Sequence, residues 1–337
     1  METVRSSLES HLRETWGEPD LAIDDVVPFG DGHSGFTYLV SCVRDVPHRY
    51  VVRLSPPNAR IAGPADVGRQ ARIMAALGAA GLPVPRVLSW SSDPVIDGRA
   101  YGLMELVAGD RFDNDPAAGS DHELAVKAIA YLRRLHALSP EDVGLDGEQT
   151  LTPGGELMRW AGLLDRAPEW LRESGGVLRD ALVASAPEPG ASALAHGDFH
   201  YGNLLFREGA IVAVFDWEIA GLSDPLVDLG CLAVASLRRR FVDEPNPTGG
   251  LDIEFDELVA LYGADPERAA WFAALSCFKY GAILGYNLQL HLSGKRPDAI
   301  YETLLGTMRG LMDDGLDLLD NRPIRQRAGA DDPAHSL

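Results

Sequence analysis

Positive charge is scarce in this sequence. Thirty lysines and arginines stand against 50 aspartates and glutamates in 337 residues, a formal net charge of −20. Binding to nucleic acid or to an anionic membrane needs a basic surface, so neither is expected as a partner. The acidity is compatible with a cationic acceptor and equally with plain solubility. Cysteine is nearly missing: Cys42, Cys231 and Cys277 are odd in number, far apart and without metal-ligand spacing. That argues against a disulfide framework or a zinc site and points to reduced thiols in a cytoplasmic protein. Long apolar runs are absent as well. No uninterrupted stretch reaches the roughly 20 residues that span a bilayer, and the nearest candidate is broken by Lys279. The opening METVRSSLESHLRE has no signal-peptide apolar region.

What remains is the composition of a globular chain, 46% hydrophobic and 24% charged. Its length is enough for a substantial core and two domains. From about Asn321 the sequence turns to Arg, Gly, Asp and Pro with no apolar period, which predicts a mobile tail over 321–337.

The most informative stretch is AHGDFHYGNLLFREGAIVAVFDWEIAGLSDPLVD, Ala195 to Asp228. His196-Gly197-Asp198, four residues, then Asn203 reproduces the spacing of a kinase catalytic loop, where the Asp takes the proton of the attacking hydroxyl and the Asn holds a metal ion. The apolar run Ala210 to Phe215 predicts a buried strand, so Asp216 emerges at a strand end, where a second metal ligand is needed. A dissociative phosphoryl transfer asks little covalent work of the protein. It requires charge neutralisation and an oriented nucleophile. Mg²⁺ is bound by one or two carboxylates together with phosphate oxygens and water, which suits a site with one Asp, one Asn and no Cys or His cluster. Taken singly, HGD and FDW are also what ordinary turns recruit; their joint spacing around a strand is the signal.

The blocks HGDFHYGNLLF and VFDWEIAGLSDPLVDLG resemble the aminoglycoside phosphotransferase superfamily, most closely its broad branch with HGDxxxGN followed by DWExAxxGDPxxDL. The resemblance runs from about Phe29 to about Gly294 and is most specific between Leu194 and Leu229. It implies an α+β, protein-kinase-like fold of two lobes, the N-terminal one rich in strands and the C-terminal one larger and helical. It further implies Asp198 as catalytic base, Asn203 and Asp216 as Mg²⁺ ligands, and Asp228 as a buried carboxylate bracing the catalytic loop. His200 falls where protein kinases place a lysine facing the γ-phosphate, and is either catalytic or a solvent-facing imidazole. Glu218 and Asp224 are each a supporting group or a substrate contact, and Asp224-Pro225 equally suits the start of a helix.

In the N-terminal third, Gly30-Asp31-Gly32-His33-Ser34-Gly35 is literally GxGxxG, a pattern shared with dinucleotide folds. The following FTYLVSCV favours a strand over the helix that a Rossmann loop requires. Strand, glycine-rich turn, strand is the arrangement that covers ATP phosphates in kinases, so Gly30, Gly32, Ser34 and Gly35 are expected at the nucleotide. Tyr50 to Leu54 predicts the next strand, and Arg53 falls at the phosphate-binding lysine of VAIK, as in the related branch of the superfamily. Arg adds a bidentate fork. A helix is predicted from Gly63-Pro64 through Leu77. On it Gln70 stands where the family usually has Glu, so that an Arg53–Gln70 hydrogen bond is weaker than a charge-assisted one.

Strands are expected at Leu82–Leu88 and Tyr101–Val107, the second leading into a hinge. By resemblance, backbone groups of Glu105 and Val107 bond the base while Met104 packs beside it. Ser120-Asp-His-Glu123 is a capping box for a helix ending near His136, which reads as a structural hydrogen-bonder. Further helices are predicted at about Glu156–Leu171, Leu226–Arg239, Pro266–His291 and Asp298–Leu319. The aromatics Trp271, Phe272, Phe278, Tyr280 and Tyr286 read as core, the alternative being that some line an acceptor pocket.

The expectation is thus a nucleotide lobe over 1–107, a catalytic and acceptor lobe over 108–320, and transfer of the γ-phosphate of ATP or GTP to a small-molecule hydroxyl with Mg²⁺. Candidate acceptors are an antibiotic, such as an aminoglycoside or macrolide, or a metabolite. Gln70 motivates a competing reading as a nucleotide-binding pseudokinase with a sensing or scaffold role. A metal-dependent phosphohydrolase could use the same acids, and would have no use for the glycine hairpin.

Overall fold

The computed structural model describes residues 1–29, 36–43, 48–58, 60, 63–111, 115, 117–237 and 251–320. Gly30, Gly32, Ser34 and Gly35 lie outside the described residues, as does the segment 321–337.

A five-stranded antiparallel sheet is built from β1 (Ala22–Pro28), β2 (Thr37–Val43), β3 (His48–Leu54), β4 (Val87–Ile96) and β5 (Arg99–Glu105), in the order β1-β2-β3-β5-β4. Alternation along β3 decides which side chains face which way. Tyr50, Val52 and Leu54 join Val40, Tyr101 and Leu103 in one apolar core. Arg53, on the opposite face, points toward the C-terminal half. The first core is closed by α1 (Glu2–Trp16), which buries Val4, Leu8 and Leu12 at helical spacing. This helix was not anticipated from the sequence. Its core-facing residues are sparse among charged ones, and its left-handed C-cap at Gly17 is the clearest local mark of its end.

Three expectations are corrected. Leu82–Leu88 is a strand only from Val87 onward, since Pro83 and Pro85 carry no N–H to pair, and the strand then runs on to Ile96. The helix expected over Glu156–Leu171 is two helices, α4 (Pro153–Leu164) and α5 (Glu169–Ala184), because Pro168 cannot continue the first and instead serves as N-cap of the second. The helix expected from Gly63 begins as a single tight turn at Gly63–Ala65, and α2 proper spans Val67–Ala79 with Asp66 as its cap.

A larger core gathers α3 (Asp121–His136), which has the expected capping box, with α4, α5, α6 (Leu226–Leu237), α7 (Phe255–Tyr262), α8 (Pro266–Leu292) and α9 (Leu305–Leu319). The same core takes Ile73, Met74 and Leu77 from α2 and Met104 from β5. Among the described residues no helix is long and apolar enough to cross a membrane.

Two small antiparallel pairs carry the informative stretch: β6 (Ala193–Ala195) with β9 (Gly221–Ser223), and β7 (Leu204–Arg207) with β8 (Ala210–Val214). The segments leaving β6 and β8 converge on one point.

Candidate active site

The loop after β6 is held by Asp228, which sits on α6 and is fully buried. Its Oδ2 accepts from the His196 backbone N–H and its Oδ1 from that of Gly197, both at 2.8 Å. His136 Nε2 lies 3.0 Å from the same carboxylate, and its Nδ1 is 2.8 Å from the Tyr262 hydroxyl. A buried carboxylate is tolerable only with such donors around it. Gly197 has φ +81°, and a Cβ there would lie 3.0 Å from the Ile219 carbonyl oxygen, so only glycine lets the loop turn here. His196 Nε2 donates to the Phe215 carbonyl at 2.9 Å, and its Nδ1 accepts the Asp198 N–H at 3.1 Å. Burial lowers the basicity of this ring despite Asp228 nearby, which fits the neutral tautomer that these bonds require. We expect Asp228→Asn to cost about 2 kcal/mol, because the new amide NH₂ faces donors. A urea titration would read this as a lower midpoint at unchanged slope.

Asp198 follows at once. Its Oδ1 accepts from the Tyr280 hydroxyl at 2.6 Å and lies 3.1 Å from Lys279 Nζ, while Oδ2 is 3.5 Å from His200 Nε2. Burial would raise its carboxyl, but the Lys279 ammonium, His200 and the Tyr280 hydroxyl together hold it well below the usual carboxylate range. Lys279 is 2% exposed and also donates to the Gly197 carbonyl at 2.6 Å. Burial would lower its basicity, yet the Asp198 charge leaves it raised. Its Nζ also lies over the Tyr280 and Trp160 rings and 3.4 Å from Cys231 Sγ. The close approach of α6 to α8 that allows this is made at Gly230, where a Cβ would lie 2.3 Å from the Phe272 carbonyl oxygen.

Asn203 closes the loop: its Nδ2 donates to the Asp198 carbonyl at 2.9 Å, and its own carbonyl accepts the Phe215 N–H at 3.1 Å. The β7–β8 hairpin thereby brings Asp216 to the same place. Asp216 has φ +67°, a left-handed conformation that costs a non-glycine residue on the order of 1 kcal/mol. Its Oδ1 accepts from Arg53 Nη1 at 2.9 Å, and Arg53 Nη2 donates to Glu218 at 2.5 Å. Burial and the adjacent Asp216 charge push the Glu218 carboxyl up, opposed by the guanidinium. Asp224 is a helix cap, accepting the Leu226 N–H at 3.0 Å and pairing with Arg268.

Among the residues expected at a site, Asp198, His200, Asn203, Asp216 and Arg53 are therefore brought together. Gln70 is buried on α2. Met104 and Glu105 lie at the end of β5, opposite Val51 and Tyr50 of β3, with Val107 just beyond; the Glu105 N–H is engaged by the Arg86 carbonyl at 2.9 Å. Sequence reasoning missed Lys279, Tyr280 and Cys231 around Asp198. The legible signal was a lysine inside an otherwise apolar helix: lysine is almost never fully buried unless paired. Trp271, Phe272 and Phe278 are core as expected, whereas Tyr280 turns to Asp198 and Tyr286 lies under Arg166.

The model of the phosphotransferase enzyme family APH matches residues 25–272. The rat protein named acyl-CoA dehydrogenase family member 11 is 27% identical over 337 residues, 93% of this chain and 43% of the rat protein. The Escherichia coli aminoglycoside 3'-phosphotransferase is 32% identical over 149 residues, 41% of this chain and 49% of its own. The chain thus spans less than half the length of either relative. A crystal structure from Ralstonia eutropha, assigned as an aminoglycoside phosphotransferase, superposes with a TM-score of 0.72 at 19% identity, covering 94% of this chain and 98% of that one. The GDP complex of aminoglycoside 2'-phosphotransferase-IIIa gives 0.60 at 15%, covering 92% and 99%. With the kinase-like fold shared along nearly its whole length and the family model matched from the first strand into α8, this chain belongs to the APH phosphotransferase enzyme family.

Proposed function

We propose that the protein transfers the γ-phosphate of ATP or GTP to a hydroxyl of a small molecule, with Asp198 as base and Mg²⁺ held by Asn203 and Asp216. The observation carrying this reading is the placement of Asp198, Asn203 and Asp216 on one loop and one hairpin tied by mutual hydrogen bonds. Asp198 Oδ1 is taken by Lys279 and Tyr280. Oδ2 is left to receive the proton of the attacking hydroxyl, with His200 beside it.

The donor chemistry suits a hard cation. Among the described residues no group of three or more His, Cys, Asp or Glu forms a metal cluster. Mg²⁺ does not need one, since it completes its shell with phosphate and water. The Asn203 amide nitrogen is anchored on the Asp198 carbonyl, which leaves Oδ1 as the free end of that side chain. When bound, Mg²⁺ supplies neutralisation of the charge on the transferring phosphate.

In this reading 1–107 carry the nucleotide and 108–320 the catalytic loop and acceptor. Arg53 reaches phosphate with the N–H groups that Asp216 and Glu218 do not use, and Glu218 provides the counter-charge that Gln70 cannot. The loss of a family carboxylate on α2 is thereby offset from the DWE segment, which weakens the case for a pseudokinase.

Incubation with ATP, Mg²⁺ and a panel of hydroxyl compounds tests the activity. A phosphotransferase yields ADP and phosphorylated product in equal amounts; a phosphohydrolase yields ADP with inorganic phosphate alone; a pseudokinase yields neither. Asn203→Ala and Asp216→Ala are expected to weaken Mg²⁺-dependent ATP binding, Asp216→Ala by about tenfold because it removes a full charge near the cation. Calorimetric titrations of the parent giving one affinity with and without Mg²⁺ would count against both roles.

A further inference from the structure

Beside Asp198 lies a cavity of about 100 Å³. Its walls are aliphatic: Val234 and Ala235 from α6, Ile283 and Leu284 from α8, Leu304 from the turn before α9, and Leu311 from α9. At the Asp198 end stand His200, Cys231 and Tyr280, two of which touch the carboxylate. Among the described lining residues the one other polar side chain is Thr307. It is 1% exposed, and its Oγ1 has no hydrogen-bond partner among the described residues. Buried hydroxyls are ordinarily bonded, so one left open on a cavity wall points to a group brought by a ligand. Among the described residues no carboxylate lines the cavity, and an ammonium entering between these walls would lose its hydration without compensation from them.

We infer that this cavity is the acceptor subsite and that the acceptor is an aliphatic alcohol. Its hydroxyl sits against Asp198, an alkyl branch enters between α6, α8 and α9, and a second hydrogen-bonding group is received by Thr307. An apolar cavity of ~150 Å³ holds benzene; by that measure this one admits about four or five carbons. The assignment rests on the phosphotransferase reading for its chemistry but not for its binding. In the transfer, the acceptor oxygen forms a bond to the γ-phosphorus, the bond from that phosphorus to the β,γ-bridging oxygen breaks, ADP leaves with that electron pair, and the hydroxyl proton passes to Asp198. A polycationic acceptor would be excluded from this subsite by the same apolar walls.

The test measures binding and transfer separately on the full chain. Dissociation constants for 1-alkanols from ethanol to 1-octanol, and for 1,5-pentanediol, come from ligand-observed NMR. Phosphorylated product, with ATP and Mg²⁺ and with kanamycin as the polycationic comparison, comes from ³¹P NMR. Affinity is expected to rise about fourfold per methylene, the ratio given by burying one CH₂, up to about 1-pentanol and then to level off. Ala235→Leu fills the cavity and is expected to move the plateau to a shorter alcohol. Thr307→Val is isosteric, removes a hydroxyl that has no partner, and so is expected to fold even where Ala235→Leu does not. It is expected to reduce the preference for 1,5-pentanediol over 1-pentanol about fivefold. A series flat in chain length, or a pentanediol preference unchanged by Thr307→Val, overturns the subsite. Chain-length dependence without any phosphorylated product would keep the subsite and refute the phosphotransferase reading. Phosphorylated kanamycin with a flat alcohol series would do the reverse.

Discussion

Asp198→Asn is expected to lower kcat by about 10²-fold or more, the usual range for removing a positioned base, while ATP affinity stays close to that of the parent. The amide has the shape of the carboxylate and can still accept from the Tyr280 hydroxyl. It cannot take a proton, and it no longer balances the Lys279 ammonium 3.1 Å away. Lys279 keeps the Gly197 carbonyl and Cys231 as partners, so the fold survives at a cost of about 2 kcal/mol. Comparison therefore belongs at a temperature where both proteins are folded. Because the surrounding donors hold the Asp198 carboxyl well below its ordinary range, the parent should show no loss of kcat on the acid side down to about pH 5. Turnover by Asp198→Asn equal to the parent, with a verified acceptor, would remove Asp198 from the mechanism.

Lys279→Met should be comparably damaging by a different route. The ammonium is the main attraction that holds Asp198 in its charged form against burial. Without it the effect of burial is opposed only by His200 and Tyr280, the carboxyl rises, and the acid limb of kcat moves up toward neutrality. Activity near pH 6 is expected to fall about 10²-fold, with recovery as pH increases, whereas a merely structural role would lower activity equally at all pH. Lys279→Arg should restore part of the activity, since it keeps the charge at the expense of geometry. Removing one partner of a buried pair costs about 3–5 kcal/mol, and the lower end applies because the Asp198 side chain is 26% exposed. The linkage is opposite in sign to that of an acid: the folded-state value of Lys279 is raised. Its contribution is fully present below the unfolded value near 10.4 and is lost only as pH rises through the folded one. The stability gap between parent and variant should thus be constant from just above the variant's raised Asp198 limb to about pH 10. A pH-independent activity ratio would sink the assignment of Lys279 as the group that sets Asp198.

The order of elements was largely readable because their signals are local. The run Tyr50–Leu54 marked β3, the Ser120–Glu123 capping box set the start of α3, and Pro266 set that of α8. The catalytic loop was readable for a related reason: its chemistry fixes Asp198, Asn203 and Asp216 at short spacings on one loop and one hairpin. Proline was the local signal passed over, at Pro83, Pro85 and Pro168, where a missing N–H outweighed the apolar periodicity around it. What the sequence could not disclose was every partner supplied from far along the chain. Lys279 and Tyr280 are 81 and 82 residues from Asp198, and Glu218 is 165 from Arg53. Nothing in spacing marks them, since an ion pair across such distances exists only once α8 has packed against α6 and the sheet against the hairpin. The cavity is of the same kind. Ala235, Ile283, Leu304 and Leu311 each read as ordinary core, and only packing leaves a space between them and turns the Thr307 hydroxyl toward it.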